Sequence, residues 1–175
     1  PPVHGADRYF SDPSFRVLVA ALYTLTEERT FDFVHEPNSK EDFLRELQQY
    51  TTIVGHNVAF EMQVLQHLGV TLSDFQFIDS AVIASAVGAG SKLEAAAPQL
   101  LGIDKMEEGS GLIKKFSIPR EDGSYLVDEH STWDGDVLDD WYTFVAYCAL
   151  DAKLSWEIYA KYIYFVQAGG IHYFD

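Results

Sequence analysis

The sequence predicts a single α/β domain, residues 1–175, in which a mixed sheet is flanked by helices. Three observations predict it. Short runs rich in Val, Ile, Phe and Tyr alternate with segments whose apolar residues recur at helical spacing. The first two runs are separated only by a charged turn and so pair as a hairpin, whereas the later ones are separated by helices, as parallel strands must be. At 175 residues, 47% of them apolar, the chain can bury one core and is short for two.

The elements follow in order. The first fourteen residues carry three prolines and a glycine and form an irregular lead-in. Residues 15–25 are too apolar to alternate cleanly, which fits a strand covered on both faces. Glu27, Glu28 and Arg29 turn the chain, and residues 30–34 alternate as a hairpin partner should. Ser39-Lys40-Glu41-Asp42 resembles a capping box ahead of Phe43, Leu44 and Leu47, for a helix ending near Tyr50. Residues 51–54 are a short β-branched strand. Asn57 is suited to cap a helix over 58–68, and Gly69 to close it.

Residues 75–78 form another strand, and Asp79-Ser80 starts the next helix. A second capping box at 91–94 opens a helix to Leu101 that Pro98 should bend. A short segment, 112–117, and a polar, acidic surface loop or hairpin over 119–136 come before the last helix. There Trp141, Phe144, Val145, Cys148, Ala152, Trp156 and Tyr159 give one wide apolar face. Gly169-Gly170 breaks that helix, and residues 171–175 read as a short strand.

The formal net charge of −15 argues against an indiscriminate binder of nucleic acid or anionic membrane, because the average surface repels phosphate. It leaves room for a nuclease, whose site needs clustered acids. The one cysteine, Cys148, excludes an internal disulfide and suits a reducing compartment. With no apolar run long enough for a bilayer, a cytoplasmic protein without membrane association is expected.

Tyr147 and Asp151 are four residues apart on the long helix, hence on the same side one turn apart. They read either as a half-buried phenol bonded to a solvated acid or as a pair able to hold a cation and orient a water. Asn57 and Glu61 repeat the spacing: a cap and a first-turn acid, or parts of a site. Asp79 reads as an N-cap before it reads as a ligand. The six histidines show no metal-ligand spacing. Five of the twelve basic residues fall between Lys92 and Arg120, with Lys114 and Lys115 adjacent. They make either a solvated face or a grip on single-strand phosphates, with Phe116, Tyr125 and Trp133 as stacking surfaces.

HNVAFE, FIDSAVIA, KLEAAAPQLLGI, LIKKFSIPRE and WYTFVAYCALD, in that order, resemble the 3′–5′ exonuclease (proofreading) domain of phage-type family A DNA polymerases. These are DEDD exonucleases of ribonuclease H-like fold, in the subgroup that uses tyrosine. The resemblance implies hydrolysis at the 3′ end of single-stranded DNA, with Mg²⁺ or Mn²⁺ in a two-metal site and a polymerase domain in the same native chain. A phage-encoded protein would work in the host cytoplasm.

It implies roles for particular residues. Asn57 and Phe60 would contact substrate beside Lys114 and Lys115. Asp151 would bind metal, and Tyr147 would orient the attacking water. Glu61 stands where most of the family has Asp. The family's first motif, Asp-x-Glu on the central strand, is not found among these residues in its usual place. The short strand ending in Asp175 is a candidate to fill that slot, placing Asp175 beside Glu61 and Asp151 as a catalytic and metal-binding acid. A catalytically inactive module that binds DNA or a partner protein remains the alternative.

Overall fold

The computed structural model describes residues 10–104, 107–127 and 133–168. Strand β1 (Val19–Tyr23) pairs antiparallel with β2 (Glu28–Asp32), Val19 opposite Asp32 and Tyr23 opposite Glu28. Helix α1 (Ser39–Leu47) leads to β3 (Thr52–Gly55), and α2 (Ala59–His67) with a 3₁₀ turn (Leu72–Asp74) crosses over to β4 (Gln76–Asp79), which is parallel to β3. Then come α3 (Ser80–Ala86), α4 (Leu93–Leu101), α5 (Gly109–Ser117) and α6 (Gly135–Ala168). This is a mixed α/β fold of small sheets flanked by helices. Among the described residues the expected single sheet is divided into two two-stranded sheets, β1–β2 and β3–β4.

The strand residues alternate between two helical layers, as a pleat dictates. Ala20, Leu22, Ile53 and Phe77 face Phe43, Leu47 and Leu65 on α1 and α2. On the opposite side Val54 and Ile78 meet α3, α4 and the second half of α6, around Ile83, Leu154 and Ile158. Val19 faces the start of α6, where Trp141, Phe116 and Trp133 pack with ring centroids 5.0–5.4 Å apart.

Asp32 locks this corner. One carboxylate oxygen, Oδ2, accepts from Trp141 Nε1 at 2.7 Å and lies 2.8 Å from His35 Nδ1, while Oδ1 accepts from the Val34 and His35 amides. A buried indole N–H needs such an acceptor, and none of the apolar neighbours could supply it.

Several local expectations shift. The hairpin turns over 24–27, two residues early, where the Thr24 amide donates to Glu27 O at 2.8 Å. Glu28 and Arg29 belong to the strand instead, and Arg29 reaches Glu46 on α1. Ser39 is not a cap. Asn38 precedes the helix in the left-handed region, and the buried Ser39 hydroxyl donates to Asp32 O at 2.9 Å. The second capping box also lacks a side-chain cap, Lys92 occupying that position. Gly69 does close α2: at φ +86° it lets the Val70 amide reach Leu65 O and its own amide reach Gln66 O. The last helix is longer than its apolar face announced, 34 residues or about 51 Å at 1.5 Å per residue.

Candidate functional site

A cavity of about 1330 Å³ lies between the two sheets. Glu61, from the first turn of α2, and Asp151, from the middle of α6, both line it. The β3 backbone ends hard against the first of these acids: a Cβ built on Gly55 would stand 3.3 Å from Glu61 Cδ. Oε2 of Glu61 is buried with no hydrogen-bond partner among the described residues.

Burial pushes the Glu61 carboxyl up to about 7; its own backbone amide opposes the shift, and the negative charges of Asp79 and Asp151 add to it. The Cys148 thiol, one turn before Asp151, is pushed to about 12 by burial and by the same two acids, Asp151 and Glu61. It is therefore a protonated wall of the cavity, with no thiolate chemistry at neutral pH.

Asp79 holds the site's framework. Its carboxylate caps α3 through the Ala81 amide at 2.9 Å, as expected of it. It also accepts from the Asn57 amide at 2.9 Å and the Val58 amide at 3.3 Å. One acid thus caps both helices that start at the ends of β3 and β4. Asn57, expected to cap α2 with its own side chain, instead takes φ +64° and presents its amide to Asp79. Beside it the His56 ring spans from Ser80 Oγ at 2.9 Å to Ser91 O at 2.8 Å, tying this turn to the loop before α4.

The structure brings Glu61, Asp151, Asn57 and Phe60 to one cavity and leaves others aside. Tyr147 is 7% exposed and is not among the cavity walls. Its ring lies on the first residue of α5, where a Cβ on Gly109 would come within 1.9 Å of Cε2. Lys114 and Lys115 are exposed on the far end of α5, and Lys115 is ion-paired with Asp140. Phe116, 1% exposed, belongs to the aromatic core, with the partly buried ring of Trp133 packed against it, and offers no stacking surface. The half-exposed ring of Phe60 does offer one, at the cavity mouth near Phe10. Arg16 and Lys92, not singled out as ligands of substrate, are the cationic side chains that line the cavity. The basic cluster beginning at Lys92 was the available signal for the latter. Asp175 lies outside the described residues.

The two-metal Mg²⁺ or Mn²⁺ site is overturned. Among the described residues no three His, Cys, Asp or Glu side chains are grouped so as to hold a metal ion. The physical reason is visible in the acids themselves: Asp79 is spent on three backbone amides, which leaves Glu61 and Asp151 as a pair. No helix among the described residues is long and apolar enough to cross a membrane. Against models of known protein families and against curated proteins, the chain matches none.

Proposed function

We propose that this chain is a 3′–5′ exonuclease-type domain of a replicative DNA polymerase, of ribonuclease H-like fold, acting on single-stranded 3′ ends. The single observation that carries the reading is the meeting of Glu61 and Asp151, ninety positions apart (61 to 151), in one cavity, close enough for one to raise the other's proton affinity. The order of the sequence motifs supports it.

Acid–base hydrolysis uses one group that donates a proton and another that accepts one. Glu61, at about 7, carries a proton for the departing 3′ oxygen through much of the neutral range. The Asp151 carboxylate is placed to take one from an attacking water. Phe60 gives a terminal base a face to stack on, and Lys92 and Arg16 offer positive charge to the adjoining phosphates.

One observation favours a second reading, a silent module that binds DNA or a partner protein: among the described residues no three His, Cys, Asp or Glu side chains are grouped to hold a metal ion. A 3′-labelled single-stranded oligonucleotide separates the two. Stepwise loss from the 3′ end, slowed about a hundredfold or more by Asp151→Asn and by Glu61→Gln, supports the exonuclease. Binding by fluorescence anisotropy without cleavage leaves the silent module, and absence of both ends either reading.

A further inference from the structure

We propose that His56 is a proton-operated clasp: as an imidazolium it pins the loop before α4, and with it Lys92, to the turn at the end of β3, and on losing its proton it lets that loop go. The clasp works whether or not the neighbouring acids cleave anything.

Three hydrogen bonds give the ring its charge. Ser91 O is a carbonyl and can only accept, so His56 Nε2, 2.8 Å away, has to donate. The Ser80 hydroxyl has one hydrogen, which goes to Gly55 O at 3.1 Å. Towards His56 Nδ1, 2.9 Å away, that hydroxyl can then only accept. Both ring nitrogens donate, as only an imidazolium does.

A neutral ring cannot keep all three bonds. With its hydrogen on Nε2 it would need the Ser80 hydrogen for Nδ1, and Gly55 O would lose that donor. Ser80 and Gly55 are both buried, which makes this the costly choice. With its hydrogen on Nδ1 the ring keeps the buried bonds, and Nε2 turns a lone pair on Ser91 O. That bond lies at the exposed end of the ring, where water can take over the carbonyl. Deprotonation therefore opens the outer bond and spares the inner ones.

The charges around the ring act in both directions. Asp79, at the end of β4, accepts from the amide of the very next residue, Asn57. Asp12, Glu61 on α2, Glu94 on α4 and Asp151 on α6 line the same cavity as His56. These acids favour the charged ring, and the two cations of the cavity, Arg16 and Lys92, oppose it.

The loop that the clasp holds carries Gly88 and Gly90, so its backbone is pliant. The Gly90 amide donates to Gln99 Oε1 at 3.2 Å, a tie to the neighbouring α4, whereas His56 reaches the loop from 35 positions away. Lys92 follows Ser91 directly, lines the cavity, and offers its carbonyl to the Ala95 and Ala96 amides at the start of α4. Releasing Ser91 thus loosens both a cavity cation and the first turn of a helix.

Ring ¹⁵N spectra and hydrogen exchange of the full chain, at about pH 5.5 and about pH 9, span the interval in which an imidazole changes charge. At the lower pH both ring nitrogens of His56 should be protonated, and at the higher pH Nδ1 alone. Over the same interval the protection of the Gly90, Ala95 and Ala96 amides, corrected for intrinsic exchange, should fall about fivefold or more, as loss of one hydrogen bond allows. Glu61 titrates in this interval too, at about 7, so Glu61→Gln is the control. The fall should persist in that variant and be absent in His56→Gln, which has one charge state throughout. A fall that survives in His56→Gln or disappears in Glu61→Gln overturns the proposal. So does the absence of any fall in the wild type, a neutral ring at the lower pH, or a neutral ring protonated on Nε2 at the higher one. Should His56→Gln not fold, the ring spectra and the Glu61→Gln exchange decide.

Discussion

Glu61 is where residue-level chemistry and stability meet. Its carboxyl titrates near 4.5 when solvated and at about 7 in the fold, chiefly through burial. Between those values the folded chain keeps a proton that the unfolded chain has released. Stability therefore falls as pH rises from 4.5 to 7, and the deficit levels off above 7, at up to ~3 kcal/mol for a shift of this size. Glu61→Gln keeps the shape without the charge. Urea denaturation should show the variant more stable than wild type at pH 8, by about 1–3 kcal/mol, and equal to it near pH 4.5. A difference that does not change with pH would mean that the acid is solvated in the folded protein.

Among the elements, α5 and α6 depend on one close approach. The first residue of α5, Gly109, rests on the Tyr147 ring with no room for a methyl group. Gly109→Ala must therefore lift α5 or turn the ring, at a cost of about 1–3 kcal/mol for overpacking. Tyr147→Leu removes the obstacle, so the double variant should be less destabilised than the sum of the two single changes, by about 1 kcal/mol or more. Additive effects in thermal denaturation would show that the two side chains do not press on each other. Because Tyr147 lies one turn before Asp151, the same contact steadies the stretch of α6 that carries the acid. The helical period alone placed Tyr147 and Asp151 on one side. It could not show that α5 covers the first of them and not the second.

At the scale of the whole molecule, a net charge of −15 opposes a polyanion. Any grip on single-stranded DNA has to come from local cations at the cavity, and few are there. Lys92→Glu should weaken oligonucleotide binding more than Lys114→Glu, because only Lys92 lines the cavity. With about two phosphates neutralised, the log–log salt dependence of binding should have a shallow slope near −1.4. Anisotropy titrations between low and physiological salt would check both. Equal effects of the two substitutions would move the strand path out to α5.

The sequence by itself determined what local patterning controls: the hairpin, the β3–α2–β4 crossover, the Gly69 helix stop, the Asp79 cap and the long final helix. Each follows from side-chain period, capping chemistry or backbone freedom within a few residues. Only the tertiary structure decided which acids meet, that Asp79 is taken up by amides from two helices, that Phe116 is core with Trp133 packed against it, and that an open cavity parts the two sheets. These depend on partners twenty to more than a hundred residues away, such as Asp32 for Trp141 and Asp79 for Asn57. Local spacing carries no information about such partners. A carboxylate's role is set by what surrounds it in space.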